Sequence, residues 1–551
     1  MAMVNGGTVD GVVQPPAIAH HEAEEGTAGA EQPLNRLTLA GIADRRAKAG
    51  KLVAGTAVYS DSDMFKSMEA YKHPKARRWD HILSPEAVAR HPCVLKLASR
   101  HLKKPGILSL GGGLPSSDNF PIDSLSFKVP HPPFSDEASL GQETTIGKHD
   151  IRDKDSVFDL SVALNYAQSV GSAQMVRWVT EHTELVSHPP YADWQCAMSI
   201  GNTGALDVAL RLFCDRGRGD SILTEAYSFS TALETMIPLG IKVVGVPIDE
   251  QGLLPTALDE MMSSWDESAR GVKKPTVLYT VPSGQNPTGA TMGVQRRKDV
   301  YNVCSKHDIY IIEDDPYYYL QMLPYDKENS AAKPGAVDAS SNQSTESYLE
   351  SLLPTLLSLD VDGRVLRMDS FSKVIVPGSR MGWVTASEQI IERYNRHNES
   401  SSQGPAGFSQ VILYKLLDET WGHEGYLRWL MHIRSEYTRR RDALLDACEK
   451  HLPKDLVSWT PPAAGMFLWL HVDHTRHPHA GQKTIMEVEE EIFDQGIEGG
   501  VLACRGSWFR AERDVEPADL CFRTTYASSS QADMDVAIQR FGQSIRASFG
   551  M

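Results

Sequence analysis

Cysteine is scarce in this sequence. The seven residues (Cys93, Cys196, Cys214, Cys304, Cys448, Cys504 and Cys521) are odd in number, scattered, and form no C-x-x-C pair. That pattern argues against a thiolate zinc site and a disulfide framework, and for reduced thiols in a reducing compartment. No metal is expected. Long apolar runs are missing as well: nothing approaches the roughly 20 residues needed to cross a bilayer, so no membrane span is expected. Basic residues are in deficit, with 55 Lys and Arg against 71 Asp and Glu and a net charge of −16. Bulk affinity for nucleic acid or an anionic membrane is thereby disfavoured. Screening over roughly 8 Å still leaves any pocket to its local charges. No basic residue precedes Arg36, whereas Asp10, Glu22, Glu24, Glu25 and Glu31 do. A secretory signal or a basic mitochondrial presequence has the opposite order, so the cytoplasm is the expected location. No internal repeat is present.

What remains is enough chain for two or more domains: 551 residues, 41% hydrophobic and 23% charged. Residues 1–60 begin in aperiodic Gly, Ala, His, Glu and Pro and read as a disordered or weakly docked tail. Within it, Leu37–Leu52 suits a short basic amphipathic helix. Residues 61–155 form an N-terminal segment. It carries a helix over Pro85–His101, a strand over Gly106–Leu110, the triplet Gly111-Gly-Gly-Leu-Pro115, and an irregular excursion over 130–156.

From 156 to 405 strands and helices alternate. The spacing predicts strands at Trp194–Ile200, Ser221–Thr224, Lys242–Val246, Thr276–Val281, Ile309–Glu313, Val365–Met368 and Gly382–Thr385. Helical patterns at Ala205–Cys214, Thr231–Leu239 and Met292–Lys306 fall between them. This alternation predicts an α/β fold with a mostly parallel seven-stranded sheet covered on both faces, and ligands at the carboxyl ends of its strands. Lys327–Ser347, rich in Ser, Ala and Asn, reads as a flexible insert. Residues 406–551 read as a smaller α+β domain. Its elements are a long helix (Tyr426–Leu452), strands at Met466–Val472, Gly500–Cys504 and Leu520–Thr524, and a closing helix from Gln531.

The candidate chemistry gathers on Arg367-Met-Asp-Ser-Phe-Ser-Lys373, followed by Arg380. Hydroxyls and a guanidinium suit a phosphate. A desolvated lysine beside another cation has a lowered pKa and condenses with a carbonyl. Phosphate and aldehyde together describe pyridoxal 5'-phosphate; an ordinary surface lysine is the alternative. Gly201-Asn-Thr-Gly-Ala-Leu follows a strand and opens a helix, where free N–H groups favour an anion. Tyr227 is placed to lay its ring on a planar cofactor, or to serve as a core aromatic. The turn after Val281 presents Asn286, whose amide suits a phenolate oxygen. Ile311-Ile-Glu-Asp-Asp-Pro-Tyr317 ends an apolar strand in acids, which are costly there unless paired or functional. A carboxylate at that point keeps a pyridine nitrogen protonated, and Asp314 and Asp315 both compete for the role.

In this order the motifs resemble the class I, fold-type I, pyridoxal phosphate-dependent aminotransferases. Within them they resemble the fungal aromatic amino acid aminotransferases and the kynurenine/2-aminoadipate aminotransferases. The resemblance spans about residues 60 to 545. It rests on Leu108-Ser-Leu-Gly-Gly-Gly-Leu-Pro115, Gly201-Asn-Thr-Gly-Ala-Leu, Tyr279-Thr-Val-Pro-Ser-Gly-Gln-Asn-Pro-Thr-Gly289, Ile312-Glu-Asp-Asp-Pro-Tyr-Tyr-Tyr-Leu320, Asp369-Ser-Phe-Ser-Lys373 and Ala464-Gly-Met-Phe-Leu-Trp469. It implies that Lys373 holds the cofactor as an imine and moves the substrate proton. It further implies that Asp314 (chosen because it stands three before the first tyrosine) faces the pyridine nitrogen, Asn286 and Tyr317 the 3-oxygen, and Tyr227 the ring face. Asn202, Thr203, Ser370, Ser372 and Arg380 are implied at the phosphate, and Arg523 at the substrate α-carboxylate. Gly113 and Leu114 would border the substrate, Tyr166 would reach the neighbouring site of a homodimer, and residues 61–155 would contribute to the small domain and to the dimer contacts.

The activity implied is a ping-pong transfer of the amino group of an aromatic amino acid (Tyr, Phe or Trp, with kynurenine or 2-aminoadipate as further donors) to 2-oxoglutarate or another 2-oxo acid. The acidic N-terminus and the 327–347 insert depart from the family pattern without carrying motif residues. Two alternatives share the fold: a lyase or decarboxylase using the same cofactor, and a cofactor-sensing transcription regulator. The latter needs a DNA-binding domain before the transferase part, for which residues 1–60 are too acidic and aperiodic.

Overall fold

The computed structural model describes residues 36–99, 101, 106–108, 110–132, 134, 141–333 and 343–551. The first 35 residues of the expected tail and residues 334–342 of the expected insert lie outside them. In chain order the strands are β1 (Ser124–Val129), β2 (Gln142–Gly147), β3 (Trp194–Ser199), β4 (Ser221–Glu225), β5 (Lys242–Val246), the two-residue pair β6 (Ile248–Asp249) and β7 (Gly252–Leu253), β8 (Val277–Thr280), β9 (Tyr310–Asp314), β10 (Val365–Ser370), β11 (Gly382–Ser387), β12 (Val457–Ser458), β13 (Phe467–Val472), β14 (Cys504–Arg505) and β15 (Leu520–Thr525).

Seven of them form one sheet in the order β3-β11-β10-β9-β8-β4-β5. All pairings in it are parallel except those of β11, which runs antiparallel to both β10 and β3. A parallel return needs a crossover of about a dozen residues or more. The Ser370–Gly382 connection is shorter, so the chain doubles back, and Lys373 sits on that turn. Every residue of β3, β4, β8, β9, β10 and β11 is buried, as strands covered on both faces must be. Helices such as Ala173–Ser187, Asn202–Phe213 and Val294–Lys306 supply the cover. The architecture is that of a fold-type I transferase, with the expected strands present and their ends moved by a residue or two.

A second, antiparallel sheet has the order β12-β13-β15-β14. Three helices accompany it: Gly422–His451, Ile485–Glu498 and Gln531–Ser548. The middle one was missed in the sequence reading although Thr484 and Glu487 form a full capping box, a signal visible in the sequence. The expected strand over Gly500–Cys504 shrinks to Cys504–Arg505, because Gly499 and Gly500 close that helix instead.

Other expectations change in the N-terminal part. The single helix over Pro85–His101 is two short ones, Pro85–Ala89 and Val94–Ser99; Pro92 lies between them and lacks the N–H a continuous helix uses. Gly106–Leu110 carries no strand at its described positions. The excursion over 130–156 contains β2, paired with β1 around the buried Ile146. Of the expected tail, the described residues 36–60 are docked, and the helix expected over Leu37–Leu52 spans Leu39–Ala49. Thr38 caps a helix over Leu39–Ala49, Ile42 is buried, and Arg46 pairs with the buried Glu181 at 2.6 Å. The insert is anchored at both ends: Ala331 N–H and Ser330 Oγ donate to Asp442 and Asp446 of the long helix, and Thr345–Ser351 is helical with Tyr348 fully buried. Among the described residues no helix is long and apolar enough to cross a membrane.

Candidate active site

The carboxyl ends of the parallel strands converge on one mouth. β10 ends at Ser370 and passes to Lys373, β9 ends at Asp314, β8 leads into the turn bearing Asn286, and β3 leads into Gly201 and the helix Asn202–Phe213. Lys373 is half-buried. Burial lowers its pKa, and the Arg380 and Arg523 guanidiniums lower it further, with Asp314 alone pulling the other way. A lysine so placed has a larger neutral, nucleophilic fraction than one in water.

The two neighbouring acids separate cleanly, as successive residues at a strand end do. Asp314 receives Asn202 Nδ2 at 2.7 Å on Oδ1 and the Tyr279 hydroxyl at 2.8 Å on Oδ2. Burial raises its pKa, and those two donors oppose the rise. Asp315 turns the other way, into a buried charge cluster. It lies 3.2 Å from Arg367 Nη1 and 3.9 Å from Arg297 Nη1, and accepts from Ser283 Oγ at 3.0 Å. Arg367 also binds Glu313 at 2.9 Å and Asp369 at 2.8 Å. Asp315 therefore serves the fold beneath the site, and Asp314 faces the Lys373 side.

Around the helix N-terminus, Gly201 has φ +86°, and a Cβ there would lie 2.9 Å from Arg380 Nη2. That φ is one glycine adopts without strain, and it brings the backbone close to the guanidinium. Arg380 itself is left-handed (φ 49°) and exposed, tied by Nη1 to Pro377 O at 3.0 Å. Ser370 Oγ accepts from Ser372 N–H at 3.1 Å, and Thr203 is exposed on the first helical turn. Asn202, expected at the phosphate, turns its side chain away from the helix end. Its amide donates to Asp314 and to Met368 O at 3.0 Å, so both N–H bonds are committed inward and its backbone N–H is what remains at the helix end.

The second sheet contributes Arg523. It sits on β15 directly between Trp469 of β13 and Cys504 of β14. Its Nη1 donates to Asn286 Oδ1 at 2.8 Å and its Nη2 to Cys504 Sγ at 3.2 Å. The rings of Phe467 and Phe509 lie 4.4 and 4.6 Å from its Cζ, close enough for cation–π attraction. The turn carrying Asn286 is pressed against this sheet. Gly284 and Gly465 both have positive φ, and a Cβ on Gly284 would lie 2.5 Å from the Gly465 backbone. Tyr227 is half-buried with its ring 5.3 Å from that of Trp469, and Tyr317 is buried with its ring 5.8 Å from that of Phe467.

Gly113, Leu114 and Tyr166 lie apart from this cluster, on exposed chain, with Tyr166 59% exposed. Asn165 Nδ2 donates to Pro115 O at 2.9 Å and so holds the two segments together. The sequence reading missed Tyr279, Arg297, Arg367, Cys504, Phe467 and Phe509. Tyr279 and Phe467 lie within quoted motifs and Arg367 heads the lysine stretch, yet the partners that give them their roles lie on other strands. Arg297, Cys504 and Phe509 carry no local signal of their contacts.

Comparison with known proteins agrees with this geometry. The profile of the family described as aminotransferase class I and II matches residues 183–541. An aromatic amino acid aminotransferase of Schizosaccharomyces pombe is 43% identical over 478 residues, covering 85% of this chain and 98% of its own. An L-tyrosine:2-oxoglutarate aminotransferase of Tapinella panuoides is 36% identical over 447 residues, covering 79% and 82%. Among solved structures, aminotransferase Aro8 from Candida albicans superposes with a TM-score of 0.79 at 38% identity, covering 87% of this chain and 100% of that one. With a half-buried lysine on the β10–β11 turn, a buried carboxylate at the end of β9 and an arginine facing them from the second sheet, this chain belongs to the class I and II aminotransferases.

Proposed function

We propose that the enzyme moves the amino group of an aromatic amino acid to a 2-oxo acid, 2-oxoglutarate foremost, in the cytoplasm, as a homodimer. The observation that carries the substrate reading is Arg523. Its fork is steadied by Asn286 and Cys504, and its immediate neighbours are the aromatic rings of Phe467 and Phe509. A guanidinium takes a carboxylate through two parallel hydrogen bonds, while aromatic walls favour an aromatic side chain.

The cofactor of the family is pyridoxal 5'-phosphate, and the residues present fit it. Lys373 offers an amine to its aldehyde and Asp314 a carboxylate to its ring nitrogen. Ser370, Ser372, Thr203, Arg380 and the backbone N–H of Asn202 form a donor set for its phosphate, at a helix N-terminus where Gly201, at φ +86°, brings the backbone close to the guanidinium. Asn286 and Tyr317 would border its 3-oxygen and Tyr227 its ring. When bound, this group supplies an electrophilic carbon and a ring that withdraws electrons from the substrate Cα. Lys373, with its lowered pKa, would take the proton from the substrate Cα and return it, Arg523 would hold the substrate carboxylate, and Asp314 would balance positive charge on the ring. The two sheets form the large and small domains, with the site at their seam.

The dimer reading rests on exposed apolar chain. Leu95, Leu108, Leu110 and Tyr166 are 69%, 93%, 100% and 59% exposed, an arrangement that calls for a covering surface. Lys96 Nζ binds Ala167 O, drawing the first and last of these together. Gly113, Leu114 and Tyr166 complete the neighbouring site in that reading. The cytoplasmic assignment is supported by the seven free cysteines.

A panel of donors (Tyr, Phe, Trp, kynurenine, 2-aminoadipate, Leu and Met) with 2-oxoglutarate tests the function. The highest kcat/KM is expected with an aromatic donor and release of its 2-oxo acid. Release of an amine, or of pyruvate with ammonia, overturns it. Arg523→Lys is expected to lower kcat/KM for donor and acceptor alike by roughly 100-fold, because a point cation replaces a fork; unaltered constants would remove Arg523 from the carboxylate.

A further inference from the structure

Four carboxylates crowd the ends of β9 and β10: Glu313, Asp314, Asp315 and Asp369, all buried. Arg367 pairs with Glu313, Asp315 and Asp369 at 2.9, 3.2 and 2.8 Å. Among the described residues Asp314 is the one of the four with no ion pair. It has two neutral donors instead, one on each oxygen, from Asn202 and Tyr279 at 2.7 and 2.8 Å. Neutral donors stabilise a carboxylate without cancelling its charge. Tyr279 is fully buried on β8, in register with Ile312 of the parallel β9. A phenylalanine would pack equally well there. A hydroxyl with no water to solvate it is unfavourable unless it is bonded, and its bond goes to Asp314.

We propose that Tyr279 is a positioning residue for the cofactor: with Asn202 it keeps Asp314 ionised and in one orientation, reserved for the protonated ring nitrogen. The inference rests on the assignment of Asp314 under Proposed function. Burial raises the Asp314 pKa and the two donors lower it, so loss of either one moves Asp314 toward its neutral form. The neutral form has little hold on a pyridinium. It retains its hold on nothing else in the cofactor, so the phosphate and aldehyde contacts are untouched.

The test reconstitutes the full-length, cofactor-free protein with pyridoxal phosphate and with its 1-deaza analogue, which has carbon in place of the ring nitrogen. Wild type is expected to prefer the natural cofactor. Tyr279→Phe is expected to weaken binding of the natural cofactor about 10-fold and to leave affinity for the analogue within about two-fold. In the loaded enzyme kcat falls for both half-reactions while KM stays, since Arg523 is unaltered. Asn202→Leu, a second variant that removes the opposite donor, is expected to show the same selective loss even if Tyr279→Phe does not fold. Equal weakening of both cofactors, or of neither, overturns the role of Tyr279 while the Asp314 assignment stands. Failure of the wild type to tell the two cofactors apart overturns the assignment itself, and the inference with it.

Discussion

Replacing Lys373 with alanine is expected to slow turnover by roughly 10⁴-fold or more, the upper range for a general acid–base group that also captures the cofactor, while raising the stability of the cofactor-free protein near neutral pH. Both effects have one cause. Burial, Arg380 and Arg523 disfavour the ammonium, and Asp314 compensates only in part. The folded pKa therefore lies below the unfolded value of about 10.4. In the window between the two, the unfolded chain binds more protons, so stability rises with pH and reaches its full value only above the unfolded pKa. Below the folded pKa the buried cation is a standing penalty, which the alanine variant escapes. Thermal unfolding of both cofactor-free proteins at neutral pH and above about pH 10.5 separates the explanations. The gain is expected at neutral pH and absent at the alkaline end. A gain of the same size at both would mean better packing and not removal of a charge. Lys373→Arg serves as a control, expected to be inactive and to bring no stabilisation.

The second large effect is expected from Arg367→Met. That guanidinium is fully buried and lies between Glu313, Asp315 and Asp369, with its face 4.7 Å from the Tyr318 ring centre. Removing one partner of a buried ionic cluster costs about 3–5 kcal/mol, because the charges left behind are uncompensated. Arg297 does not replace it: its Nη1 is 3.9 Å from Asp315, and it is committed to Ser283 Oγ and Met292 O. The pH dependence carries the mechanism. Burial already raises the Asp315 carboxyl to about 7, with Arg367 and Arg297 opposing. A carboxyl raised in the fold contributes stability below its unfolded pKa that is lost as pH rises through the folded value. Without Arg367 the folded values climb further, so the variant's deficit in urea unfolding is expected to be larger at about pH 8 than at about pH 5. A deficit equal at the two pH values would mean that lost packing, and not stranded charge, is responsible. Because Glu313 and Asp315 flank Asp314, cofactor affinity is expected to fall along with stability.

These residues show how far the amino-acid order carried. Asp369-Ser-Phe-Ser-Lys373 and Gly201-Asn-Thr were readable because each is a contiguous stretch in which the chemistry of the group and the turn that exposes it lie together. The seven strands of the main sheet were readable for a similar reason, each being a short apolar run bounded by turn residues. Asp314 against Asp315 was harder. Alternation along a strand says that they face opposite ways, but which way is the mouth depends on Asn202 and Tyr279 on one side and on Arg297 and Arg367 on the other. Asn202 was assigned its helix terminus correctly, yet its side chain answers to Asp314, a long-range partner. The helix expected over Leu37–Leu52 is there at Leu39–Ala49, but the strength of its docking was not readable because its anchor, Glu181, lies far along the sequence.

By itself, then, the amino-acid order determined the α/β class and the strand succession, which follow from local periodicity, and, through short contiguous motifs that resemble a known family, the cofactor and the lysine proposed to receive it. Only the tertiary structure decided that β11 runs against its neighbours, that Arg523 is steadied by Asn286 and Cys504, and that, among the described residues, one acid of four makes no ion pair. Those facts are distances between residues tens to hundreds of positions apart, set by sheet order and packing, and no stretch of chain encodes them alone.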